Sequence, residues 1–85
     1  MNLEKTYQTI MGELNLGHRG LVKLSEDDIE ELNHLLLQQN NLDQVLCIIE
    51  HSSHPQLKFE KNILYLMNST TSDENLIFAL NCALS

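Results

Sequence analysis

The run Asn40-Asn41-Leu42-Asp43-Gln44-Val45-Leu46-Cys47-Ile48-Ile49-Glu50 constrains the fold of this chain more than any other. Asn is a favoured N-cap, so Asn41 (or Asn40) reads as the start of a helix. The spacing predicts that helix over 42–53. Leu42, Val45, Leu46 and Ile49 line its inner face, with Cys47 and Ile48 beside them. A face this apolar needs other amphipathic elements to cover it.

The rest of the chain offers them. Leu3, Tyr7, Ile10, Met11 and Leu14 fall on one helical stripe, which predicts a first helix over 2–14 with Asn2 as its cap. Gly17 and Gly20 mark 15–24 as a loop. Ser25-Glu26-Asp27-Asp28 is a Ser-x-x-Asp variant of the capping box. It opens a helix over 26–38 with Ile29, Leu32, Leu35 and Leu36 inward. Five acids between Glu26 and Glu31 sit at the positive end of that helix dipole. After His54-Pro55 two patterns compete. Leu57 and Phe59 alternate as in an extended segment, whereas Phe59, Ile63, Leu66 and Met67 keep helical spacing. The expectation is a short extended piece, then a helical turn around 63–67. Thr71-Ser72-Asp73-Glu74 is a Thr-x-x-Glu capping box. It leads a last helix with Leu76, Ile77, Leu80 and Leu84 inward.

Eighty-five residues make one domain, 1–85. Its formal net charge of -7 argues against nucleic acid and against anionic membrane surfaces. Basic protein patches are the natural partners of such a surface. Cys47 and Cys82 lie in apolar runs with no framework spacing and no secretory leader, which points to free thiols in a reducing cytoplasm. No apolar run is long enough to span a bilayer.

Three pieces, in order, carry a resemblance. They are Leu3 to Leu14; Leu42-Asp43-Gln44-Val45 with Ile48-Ile49-Glu50, followed without a gap by Leu57 and Phe59; and Ser69-Thr70-Thr71 leading into Leu76 to Asn81. Together they resemble acyl carrier proteins over about three quarters of the chain. The resemblance implies an all-α, small four-helix bundle. It implies a non-enzymatic domain that docks on partners of an acyl, polyketide or peptide biosynthetic system. In that family the second helix opens on Asp-Ser-Leu-Asp-x-Val, and the serine takes phosphopantetheine. Here Asn41 stands at the serine position. A carboxamide has no nucleophilic oxygen for that transfer, so no cofactor is expected. The family's approach to the serine is reduced to Leu37-Gln38-Gln39-Asn40, of which only the leucine matches. Ser25 is no substitute, because its acidic neighbours repel phosphate. By the same resemblance Leu42, Asp43, Leu46 and Glu50 are the docking residues, with Leu46 a partly exposed apolar anchor between two acids.

Other chemistry is sparse. Glu50-His51-x-x-His54 places two histidines at metal-sharing spacing. Pro55 and the lack of a third matched histidine weigh against a site, and no metal is expected. Neither cysteine has an evident histidine partner. Two readings from other classes stand beside the carrier-like one. One is an acidic binding module of the immunity-protein or secretion-chaperone kind, which neutralises a basic protein. The other is an armadillo-type helix pair, built from Ser53-His54-Pro55-Gln56, Phe59 and Ile63-Leu64-Tyr65-Leu66. The carrier-like fold predicts a short helix between 60 and 68, the repeat a long one from Pro55 to Met67.

Overall fold

The computed structural model describes residues 1–18, 22–52, 58–69 and 73–84. Within them the chain forms five α-helices: α1 (Leu3–Asn15), α2 (Glu26–Gln38), α3 (Leu42–Glu50), α4 (Glu60–Ser69) and α5 (Glu74–Leu84). The architecture is all-α, as expected, but the bundle has five helices instead of four. Among the described residues the one β-type pairing is an isolated parallel bridge between Val22 and Ser52. There the Val22 N–H donates to the His51 carbonyl at 2.8 Å, which ties the α1–α2 connection to the end of α3.

Local chemistry sets the helix starts. Asn2 caps α1, its side-chain oxygen accepting from the Lys5 N–H at 3.0 Å. At α2 the capping box is complete. The Asp28 N–H donates to Ser25 Oγ, and the Ser25 N–H donates to Asp28 Oδ2, both at 3.1 Å. The helix occupies 26–38 as its periodicity predicts.

Three expectations need correction. First, α3 ends at Glu50 and not near 53. His51 and Ser52 turn their side chains back onto it. His51 Nδ1 lies 2.8 Å from the Cys47 carbonyl and Ser52 Oγ donates to the Ile49 carbonyl at 2.8 Å, so the last carbonyls are occupied without further helix. Second, the segment around 63–67 is a ten-residue helix from Glu60, not a single turn. Phe59 leads it, its carbonyl accepting from the Ile63 N–H at 3.0 Å. Phe59, Ile63 and Leu66 are all fully buried, as their helical spacing leads one to expect. Leu57, His54 and Pro55 lie outside the described residues. Third, α5 begins at Glu74 with Asp73 as its cap. Asp73 Oδ1 accepts from the Leu76 N–H at 3.1 Å and its carbonyl accepts from the Ile77 N–H. Thr71, expected to cap this helix, lies outside the described residues. An aspartate at this position satisfies a free N–H and also favours the helix dipole.

The core is built around α3, which packs against α1, α2 and α5, while α4 packs against α2 and α5. Val45, Leu46, Ile48 and Ile49 are buried on α3. They meet Ile10 of α1, Leu32 and Leu36 of α2, Ile63 and Leu66 of α4, and Leu80 and Ala83 of α5 in one cluster. No polar or charged side chain is buried among the described residues. One polar relay crosses between helices. Asn62 Nδ2 donates to Asn33 Oδ1 at 2.8 Å, and Asn33 Nδ2 donates to the Lys58 carbonyl at 3.1 Å.

The α2–α3 connection is three residues long, and two of them are left-handed: Gln39 (φ 55) and Asn41 (φ 49). Gln39 ends α2 in the manner usually given to glycine, with the Asn40 N–H donating to the Leu35 carbonyl at 3.2 Å. A glutamine Cβ is strained in that conformation. Gln39→Gly should therefore raise stability by about 0.5 kcal/mol, the relieved strain exceeding the added freedom of the unfolded chain. The denaturation midpoint measures this; an unchanged or lower midpoint would show that the turn holds Gln39 without strain.

Candidate docking site

Of the surface grooves, the one between α3 and α5 unites most of the residues expected to dock. It measures about 310 Å³ and is lined by Leu42, Asp43 and Leu46 from α3, by Leu76 and Ala79 from α5, and by Asp73 and Asn75 at the start of α5. Each residue is placed by helical spacing. Leu42 and Leu46 are four apart and Leu76 and Ala79 three apart, so each pair shares a face. The two apolar pairs form the floor. Asp43 and Asp73 are exposed. Neither α3 nor α5 contains a Lys or Arg.

Leu46 differs from its expected role. It is 3 % exposed and belongs to the core, so it forms the base of the groove instead of projecting as an anchor. Leu42 is half-buried. Glu50 is exposed but does not line the groove. It sits seven residues beyond Asp43, about 10 Å along the same side of α3. The α5 half was not foreseen. From sequence, Leu76 is expected only in the core and Asp73 only within a capping run. The signal available in the sequence is that Leu76 and Ala79, three apart, come within one to two turns of the acids Asp73 and Glu74.

Asn41 lies elsewhere. With Gln44 it lines an open groove of about 600 Å³, whose other wall is Met1, Asn2, Leu3 and Glu4. Asn41 occupies the N-cap position, and its carbonyl accepts from the Val45 N–H at 2.9 Å. Its side chain, however, makes no capping bond. The reason is the backbone: φ 49, ψ 44 is left-handed, whereas a capping residue is normally extended. Asn is one of the few residues that tolerate that conformation. The position thus selects Asn for its backbone and supplies no nucleophile.

A Cys–His pair does occur. His51 Nδ1 is 3.8 Å from Cys47 Sγ, a contact that i, i+4 spacing at the end of α3 produces. It does not make a reactive thiol. A carbonyl only accepts, so the Nδ1 proton is committed to Cys47 O at 2.8 Å. Burial pushes the Cys47 thiol above its ordinary value, and the Glu50 carboxylate adds to the shift. Both oppose the thiolate that nucleophilic chemistry requires. His51 also joins no metal cluster: no group of three or more His, Cys, Asp or Glu is arranged for one among the described residues, and His54 lies outside them. No helix among them is long and apolar enough to cross a membrane.

Two outcomes follow from this chemistry. Incubation with a phosphopantetheinyl transferase and coenzyme A should leave the mass of the protein unchanged; a gain of one pantetheine arm would mean that another hydroxyl serves. Alkylation of Cys47 by iodoacetamide near pH 8 should be several-fold slower in the native than in the denatured chain, as a raised thiol pKa leaves less thiolate at that pH. Equal rates would show that Cys47 is neither shielded nor shifted. Protein-family models, curated proteins and solved structures were each compared with the chain, and none matches it.

Proposed function

We propose that this chain is a non-enzymatic docking domain that binds a basic surface of a partner protein through the α3–α5 groove. One observation carries the reading. An apolar floor of Leu42, Leu46, Leu76 and Ala79 is overlooked by Asp43 and Asp73, on two helices that hold no cation. An apolar centre with an acidic rim suits an aliphatic side chain flanked by Lys or Arg. Attraction from the rim then speeds the encounter, and the floor limits escape.

The carrier-like version of this function draws on helix order. The segments that resemble the family's first, second and last helices are α1, α3 and α5, and α3 packs against both of the others. The short α4 starts at Glu60, with Lys58 and Phe59 outside the α-helix, which favours the carrier-like expectation over a repeat helix continuous from Pro55. In this reading α2 replaces the family's loop, and Asn41 makes the domain a partner-binding relative that holds no arm.

A second reading rests on α2. Asp27, Glu30, Glu31, His34 and Leu35 line a groove of about 490 Å³, an acidic surface suited to neutralising a basic protein in the manner of an immunity protein or chaperone.

Charge substitution separates the two. Asp43→Lys reverses one rim charge, and Asp73→Asn removes the other while keeping an N-cap. A labelled amphipathic helical peptide with one leucine face and flanking lysines serves as the probe. Together the substitutions should weaken its binding about tenfold at low salt and leave the helical circular dichroism intact. The loss should shrink as salt screens the charges. If Asp27→Lys with Glu30→Lys abolishes binding while the α3–α5 pair has no effect, the α2 surface is the site.

A further inference from the structure

The two acids of the α3–α5 groove are not equivalent. One oxygen of Asp73 is already committed: Oδ1 accepts from the Leu76 N–H at 3.1 Å and closes the first turn of α5. Only Oδ2 is left for a ligand. Asp43 has no such duty. It is exposed, and neither of its oxygens forms a hydrogen bond or an ion pair with another described residue. A whole carboxylate thus stands open at the edge of an apolar groove.

The difference matters to an incoming cation. Arginine presents a planar fork of donors that meets a carboxylate through two parallel bonds, and it needs both oxygens open. Lysine presents a compact, strongly hydrated charge, and one oxygen satisfies it. The floor favours the same choice. Leu42 adjoins Asp43 in the chain and lines the same groove, so a cation held on Asp43 lies against apolar surface. A guanidinium is more weakly hydrated than an ammonium and loses less there.

We infer that the partner segment seated in the α3–α5 groove places an arginine, in preference to a lysine, on Asp43. The inference rests on the reading of that groove as a docking site and adds to it the residue that selects the partner. Charge complementarity sets the sign of the occupant, since two carboxylates rim the groove and neither helix holds a cation. The size of the groove sets its kind. About 310 Å³ lies at the small end of the range for bound small molecules, roughly 300–1,000 Å³, and suits side chains of a protein better than a cofactor. Asp43 then discriminates between cations, while Asp73, with one oxygen tied to its own helix, attracts either.

Fluorescence anisotropy of the full chain with three labelled helical peptides tests this. They share one leucine face and differ only in the flanking cation: arginine, lysine, or dimethylated arginine, which keeps the charge but blocks the paired bonds. The parent should bind the arginine peptide about fivefold tighter than either of the others. Asp43→Asn should shrink that preference to within about twofold, whereas Asp73→Asn should weaken all three alike and keep it. Both side chains are exposed and asparagine retains the cap at 73, so circular dichroism should not change. Equal binding of the arginine and lysine peptides, with both still weakened by the Asp43 and Asp73 substitutions, overturns the proposal and leaves the groove as the docking site. A preference that survives Asp43→Asn overturns it as well, and its loss in Asp27→Asn with Glu30→Asn would assign it to α2. If no peptide binds, the proposal and the docking reading fall together.

Discussion

A nine-residue helix holds this molecule together. Alone in water a helix of that length is marginal at best, since too few hydrogen bonds follow its costly nucleation. α3 exists because Val45, Leu46, Ile48 and Ile49 are covered by three neighbouring helices. The dependence is mutual. α1 buries little except Ile10, and it reaches the core mainly through α3. Removing the apolar side chains of α3 would leave amphipathic helices with little to pack on. Among the described residues no charged side chain is buried, so no buried ion pair there compensates for imperfect packing.

The same short helix organises the surface. Its start is set by a three-residue turn with two left-handed residues, after which α3 packs against α2. One side of α3 is thereby shown to α5, with Asp43 left at the rim of their groove. Asn41 is held in a conformation few residues accept, so the position most suggestive of covalent chemistry is governed by backbone geometry instead. At the other end His51 closes the helix and also tethers the connection from α1 through Val22. Both ends are fixed by local hydrogen bonds, and the middle by burial.

Much of this was legible in the residues. Ser25 and Asp28 announced α2, because a capping box is a local device that no distant contact has to support. The stripe from Leu3 to Leu14 located α1 for the same reason. The errors arose where the outcome depended on distant partners. Phe59 fits both an extended and a helical pattern, and only packing against the other helices decides that α4 runs for ten residues from Glu60. The end of α3 depended on side chains that fold back, a geometry that periodicity does not encode. For the candidate site, Leu42 and Asp43 were legible as neighbours on one helix. Their counterparts Asp73, Leu76 and Ala79 lie some thirty residues away, and pairing them requires knowing that α3 meets α5.

The amide relay between α2 and α4 has a consequence for orientation. Ile63 and Leu66 grip the core through aliphatic contacts, which hold nearly as well if a helix rolls a little about its axis. Asn33 removes that freedom. Its carboxamide uses both ends at once, accepting from Asn62 and donating to the Lys58 carbonyl, so it favours the roll angle of α4 at which both bonds form. The relay works as a keyway for the helix. Because the roll is set on the inner side, the outer side is set as well, and the two asparagines reinforce the orientation in which Ile63 and Leu66 face the core and Tyr65 meets solvent.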